Sequence, residues 1–203
     1  MQDKLLKGID DRGAQVLKTI SYSPNQASRD LLDETRMLYQ VANEIQNDQK
    51  YTARLHYSYA LLSWHEPLQR GRKDRERQLQ AIRGELQLAI DADPTFAPAQ
   101  HDMAVLAFNE SGDYAGAARG LKAAIDAAPD WALPHFTFGR IYIEQGRAEE
   151  ATLEFQKAIR LDGNLSQARA GLGVAFALSG DLAAGLKLAQ SAEAQNSSNA
   201  YVL

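Results

Sequence analysis

The sequence lacks cysteine, and this absence excludes disulfide bonds and thiol chemistry without identifying a compartment. It also lacks a run of the roughly 18 apolar residues that a membrane helix needs. Basic residues are not in excess, and the net charge of −4 argues against a protein that wraps nucleic acid. The N-terminus, MQDKLLKGIDDRG, mixes charges where a signal peptide needs an apolar core. We therefore expect a cytoplasmic protein if Met1 is the natural start, and an exported or anchored one if a signal was removed.

The chain does contain an internal repeat with a period of 34 residues. Gly112, Gly146 and Gly180 are spaced 34 residues apart, and an aromatic residue precedes each glycine by four positions. AIDADPTF, which begins at Ala89, returns almost unchanged as AIDAAPDW from Ala124. Fixed periods of 20 to 50 residues are typical of solenoids and related repeat proteins.

Each copy has the pattern of two helices joined by a turn. In LPHFTFGRIYIEQG the apolar residues recur at helical spacing, and Gly146 stands where a left-handed cap closes a helix. The next segment, EEATLEFQKAIRLD, carries an amphipathic stripe of Ala151, Phe155, Ala158 and Ile159. Pro94 and Pro129 are predicted to end the second helices of their copies, because proline lacks the backbone donor.

These residues resemble the tetratricopeptide repeat (TPR) family. The match is carried in HFTFGRIYIEQGRAEEATLEFQKAIRLDG by Phe138, Gly139, Tyr142, Ala151, Phe155 and Ala158. Two further copies are in register but depart at the aromatic position, where Leu121 and Ala189 stand. The resemblance implies an all-α fold, a right-handed superhelical solenoid of antiparallel helix pairs with an N-terminal helical extension.

The register divides the chain into six parts. They are an N-terminal helical extension or cap at 1–50, an interrupted helix pair at 51–97, repeats at 98–131 and 132–165, a degenerate repeat at 166–199, and a tail at 200–203. The interrupted helix pair contains a basic insert at 67–76, and the second helix of the pair is predicted to begin at Arg77. An anion or an acidic partner could bind Arg70, Arg72, Lys73 and Arg75 there. The alternative is a solvated projection with mixed charge pairs.

The resemblance also implies a concave groove lined by the first helix of each repeat, in which a partner peptide or helix lies. The groove positions carried over by register are Tyr57, Leu61, Trp64, Asp102, Leu106, Asn109, Phe136, Arg140, Ile143, Ala170, Val174 and Ala177. Some family members grip a C-terminal carboxylate with lysine, arginine and asparagine at such places. Here only Arg140 and Asn109 are of that kind, so the carboxylate clamp is absent and an apolar or amphipathic segment is the expected ligand. Alternatively, the N-terminal helices of the chain itself fill the groove.

Other motifs are interpreted as packing. His56, His101 and His135 recur at one repeat position, and stacked helices stand roughly 8–10 Å apart, too far for shared metal ligands. GLGVAF, from Gly171, resembles a dinucleotide motif but falls within a predicted helix. No nucleophile–base pair, zinc-protease motif or phosphate loop is found. We therefore expect no enzyme activity, no cofactor and no metal.

Three functions remain as hypotheses. The first is a scaffold or adaptor, chaperone-like in one version, that binds a segment of another protein. The second is an assembly component that oligomerises or docks through the last repeat, where Leu182, Leu186 and Ala189 are expected to be open. The third is a regulatory part of a larger enzyme complex. Neither a membrane nor nucleic acid is expected as a partner.

Overall fold

Residues 2–22, 29–66 and 71–200 are described by the structure, a computed structural model, and they form helices joined by short turns. The helices of this described part are α1 (Gln2–Tyr22), α2 (Arg29–Ile45), α3 (Gln49–His65), α4 (Arg72–Ala92), α5 (Ala97–Ser111), α6 (Tyr114–Ala127), α7 (Ala132–Glu144), α8 (Ala148–Leu161), α9 (Ser166–Leu178) and α10 (Leu182–Ala200). They divide into two compact units, Met1–Leu106 and Ala107–Leu203, with α5 crossing the division. The predicted all-α fold is confirmed.

The first unit is a layered set of antiparallel helices. Thr52 Oγ1 of α3 donates a hydrogen bond to Asn43 Oδ1 of α2 at 3.0 Å, and Arg36 of α2 lies over the Tyr59 ring of α3 at 5.8 Å. The contacts advance along α3 as they go back along α2, so the two helices run in opposite directions. One buried cluster joins the helices of this unit, and it includes Leu6, Ile9, Val16, Leu17, Ile20, Leu32, Tyr39, Tyr57, Leu61, Ile82, Leu86, Phe96 and Leu106.

The second unit shows the repeat pattern directly. Helix α6 packs on α7, α7 on α8, α8 on α9 and α9 on α10, while α7 also contacts α9. Contact between the first helices of successive repeats is the arrangement expected of a solenoid. This contact makes neighbours of the two helices that carry the groove positions of this unit.

Glycine closes the turns of the repeats as the sequence predicts. Gly112, Gly146 and Gly180 have φ of 60°, 71° and 93°, in the left-handed region that suits glycine. Asp113 then accepts a hydrogen bond from the Gly116 amide at 2.8 Å, and Asp181 accepts one from the Ala184 amide at 3.0 Å. These N-caps begin the second helices.

The insert differs from the expectation in where its helix begins. Helix α4 starts at Arg72 instead of Arg77, so much of the basic stretch is helical. Gly71 takes the N-cap position, and Asp74 and Arg77 form an i, i+3 ion pair at 3.6 Å. Apart from Asp74, the charged residues after Gly71 are good helix formers, but they carry no apolar stripe. Apolar periodicity alone therefore does not predict this first turn of α4.

Candidate functional site

The groove positions predicted in the first unit are largely closed. Tyr57, Leu61 and Leu106 are 2%, 8% and 1% exposed, whereas the sequence placed them on an open surface. They belong to the same buried cluster as apolar residues of α1, including Leu6 and Val16. A partner could reach them only by displacing that core. This is the arrangement expected if the N-terminal helices cover the first repeat.

Hydrogen bonds between polar side chains also stabilise this part of the first unit. The Tyr57 hydroxyl donates a hydrogen bond to Asp102 Oδ2 at 2.7 Å, and Asp102 Oδ1 lies 2.8 Å from His101 Nδ1. Burial, with the nearby Asp102 carboxylate, raises the pKa of Tyr57 well above its usual value. Asp102 and Trp64 are half-buried. Asp102 is therefore engaged within the unit.

The groove positions of the second unit are accessible. Ala170 and Asn109 are exposed and Val174 is 48% exposed, while the remaining members of the set are half-buried. On each helix the spacing is i, i+4, i+7, which puts the side chains on one side of the helix. We name this surface the α7–α9 face, and it consists of Asn109, Phe136, Arg140, Ile143, Ala170, Val174 and Ala177.

Arg140 is the charged group of the α7–α9 face. Its guanidinium lies 5.2 Å from the centre of the Phe108 ring, and Nη2 lies 3.4 Å from Asn109 Oδ1. The contact with an aromatic face and an amide holds the cation in a partly apolar setting, where it interacts more strongly than in water. The face thus combines apolar side chains with one positioned hydrogen-bond donor group.

Glycines allow the helices that carry this face to approach closely. A Cβ on Gly139 or on Gly171 would come within 2.6 Å and 2.5 Å of the Phe155 ring, so that ring occupies the space both glycines leave. A Cβ on Gly173 would lie 2.8 Å from the Gly185 carbonyl oxygen, and a Cβ on Gly185 would lie 2.7 Å from the Gly173 carbonyl oxygen. The small residues at 139 and 173 therefore act in packing.

The recurring histidines each contact a carboxylate. His56 Nδ1 lies 2.8 Å from Glu85 Oε2, and His135 Nδ1 lies 2.7 Å from Glu154 Oε2. These carboxylates were not identified from the sequence, although removal of the ten-residue insert places Glu85 and Glu154 at the same repeat position. Among the described residues, no group of three histidine or acidic side chains is arranged to hold a metal ion.

The basic insert is only partly visible as a site. Arg70 lies outside the described residues, and the side chain of Arg72 is not among those described. Lys73 and Arg75 are exposed near the start of α4. An anion contact here stays a prediction.

The last repeat presents open leucines. Leu182 and Leu186 of α10 are 71% and 62% exposed, Leu178 at the end of α9 is 58% exposed, and Ala189 is also exposed.

Within the described ranges, none of the helices is both long and apolar enough to span a bilayer.

Comparison with known proteins shows likeness in structure alone. No family model matches the sequence, and no curated protein matches it. A crystal structure of MamA superposes with a TM-score of 0.58 at 16% identity, covering 84% of this chain and 91% of MamA. BtubC (BKLC) from P. vanneervenii gives 0.60 at 14% identity, covering 98% and 92%. Thermobaculum terrenum O-GlcNAc transferase gives 0.53 at 23% identity, covering 63% of this chain but 22% of the transferase.

The repeat pattern of the sequence and the structural comparisons agree. A 34-residue period with glycine-closed helix pairs is present in the sequence and in the described helices, and the structural neighbours are helical-repeat proteins. At these identities the likeness establishes architecture only. The chain has a tetratricopeptide-repeat-like fold.

Proposed function

We propose that the second unit is a protein-interaction module that binds an apolar or amphipathic segment of another protein on the α7–α9 face. One observation carries the proposal: partly exposed apolar side chains share a face with Arg140, which is held against Phe108 and Asn109. A surface of this composition suits a helix or strand with an apolar stripe. The role is one of binding, as a scaffold or adaptor.

The chemistry of the face defines what the segment should contain. Phe136 and Val174 offer apolar surface, and Phe136 is backed by the Phe155 ring at 6.0 Å between centroids. Arg140 supplies N–H donors at the same face, so a carboxylate or carbonyl group on the segment would be oriented by it. We expect apolar residues spaced i, i+3 or i, i+4, with an acidic residue among them.

The test uses a photo-crosslinking residue introduced at Ala170, which is exposed on this face. Crosslinked proteins from the source cell are compared between the otherwise unchanged chain, Val174→Glu and Leu153→Glu. Leu153 is the matched control because it is 58% exposed on α8, outside the face. We avoid Leu106→Glu because that residue is buried and its substitution would disrupt the core.

We expect a small set of partners that Leu153→Glu retains and Val174→Glu loses by about tenfold, which corresponds to roughly 1.4 kcal/mol. The site of crosslinking on the partner should have the apolar spacing described above. If Val174→Glu and the unchanged chain label the same proteins equally, the face is not the binding site. A chaperone-like role would additionally require that binding prevents aggregation of the captured protein.

Assembly through the last repeat is the second candidate function. The exposure of Leu178, Leu182 and Leu186 favours it, because contiguous exposed apolar side chains often mark association surfaces. A role as the regulatory part of a larger enzyme complex would use either surface.

A further inference from the structure

The α9–α10 hairpin carries a row of leucines around its turn. Leu178 ends α9, Gly180 closes the turn, and Leu182 and Leu186 follow one helical turn apart on α10. We name Leu178, Leu182 and Leu186 the leucine strip. Each is more than half exposed, so the strip is an apolar surface that the described part of the chain leaves uncovered.

The strip is not a general property of the repeat. In register, Leu178 corresponds to Glu110 and Glu144 in the two preceding repeats, Leu182 corresponds to Tyr114 and Ala148, and Leu186 corresponds to Ala118 and Thr152. Of these three repeats, the last alone therefore has leucine at all three places. Stacking within the array does not require leucine at these places.

The charge of the hairpin is balanced. Between residues 166 and 194 its charged side chains are Arg169, Asp181, Lys187 and Glu193, which sum to zero. The whole chain carries −4, so the net charges of two copies oppose association weakly. This hairpin can meet an identical hairpin without net repulsion, and it offers little to a strongly charged partner.

The size of the hairpin limits the strength of such an interface. Helix α9 has 13 residues and is about 20 Å long, and with a neighbour roughly 10 Å away the pair offers a footprint of about 400 Å². Stable complexes usually bury about 800 Å² per partner. A contact limited to this hairpin therefore belongs to the weak, concentration-dependent class.

We propose that two copies of the chain associate through this hairpin, with the leucine strip of one copy packed on the same strip of the other. Such an interface is isologous, because one patch serves both partners. The close contact of Gly173 with Gly185 holds α9 against α10, so the strip is formed before association. The inference rests on the assembly role proposed above and names its partner as a second copy.

Sedimentation velocity over a concentration series from about 1 to 200 μM tests the proposal, since weak dimers dissociate in the micromolar range. The mass should rise from 22.4 kDa toward twice that value as concentration increases. Leu182→Glu combined with Leu186→Glu should weaken association at least tenfold. Leu153→Glu should leave it unchanged, and circular dichroism should show that all variants keep their helices.

Several results would overturn the proposal. They are a monomer at every concentration, association that survives the double substitution, or equal loss with Leu153→Glu. A parallel pull-down with the unchanged chain and the double variant distinguishes failure of the second-copy inference from failure of the assembly role. If the chain stays monomeric but retains another protein that only the double variant loses, the hairpin docks a different partner, and the second-copy inference alone fails. If neither association is seen, both fail.

Discussion

Glu154 of α8 lies 2.7 Å from Nδ1 of His135 on α7, and this contact joins the two helices of the third repeat. Burial opposes ionisation of Glu154, but hydrogen bonds from His135 and from Lys157 outweigh it and lower the pKa of the carboxyl group. An ionised carboxylate only accepts hydrogen bonds, so the His135 Nδ1 carries the proton.

The lowered pKa predicts a loss of stability in acid. Because the folded-state pKa of Glu154 lies below its usual 4.5, its contribution is present above that value and disappears as the pH falls through the folded-state pKa. Glu154→Gln should lower the unfolding free energy by about 1 kcal/mol at pH 7 and by less near pH 3. Urea unfolding at the two pH values measures this. Glu149→Gln, exposed on the same helix, should show little effect at either.

The Gly173–Gly185 contact predicts that an added methyl group will not be tolerated. Gly173→Ala should destabilise the chain by about 1–3 kcal/mol, because its Cβ would lie 2.8 Å from a backbone carbonyl oxygen. Gly84→Ala is the control, since it lies within α4 with nothing within 4 Å of the added Cβ. That change should stabilise by about 0.5–1 kcal/mol through helix propensity. Thermal unfolding of both variants gives the comparison, and equal shifts would contradict the contact.

The Phe155 ring predicts a non-additive pair of substitutions. Gly139→Ala alone should be destabilising, because its Cβ would come within 2.6 Å of the ring. Phe155→Leu alone should cost about 1–3 kcal/mol through lost packing. Leucine leaves room for the new methyl group, so the double variant should be more stable than the sum predicts, by about 0.5–3 kcal/mol. A double-mutant cycle from denaturant unfolding measures the coupling, and strict additivity would exclude direct contact.

The buried tyrosines Tyr39 and Tyr57 predict the alkaline limit of the first unit. Burial raises the pKa of Tyr39 to about 12 and that of Tyr57 well above 10, with Asp102 adding to the shift at Tyr57. Both groups favour the folded state below pH 10, and this advantage is lost as the pH rises through their folded-state pKa values. In an ultraviolet titration of the eight tyrosines, Tyr39 and Tyr57 should ionise late and together with unfolding, and Tyr51, whose pKa is also raised by burial and by Asp10, should ionise after the exposed tyrosines. Tyr57→Phe should remove one late group while costing about 1–2 kcal/mol at pH 7.

The repeat register predicted the helices and turns well because glycine and apolar spacing follow local backbone rules. Gly146 shows this, since a left-handed cap depends on its immediate neighbours. The same register could not predict the burial of Tyr57 and Leu61, because which distant helix covers a face depends on tertiary packing. The carboxylate partner of His56 was missed for a related reason: the insert hides the spacing to Glu85.

The Phe155 ring couples the repeat at 132–165 to the repeat at 166–199. It fills the space left by Gly139 on α7 and by Gly171 on α9, so neither helix can separate from α8 without exposing the same aromatic surface. In a linear array of repeats, such shared contacts set how far unfolding spreads from one repeat to the next. Amide hydrogens of α7, α8 and α9 should therefore exchange with solvent in a single cooperative opening, so the two repeats behave as one folding unit.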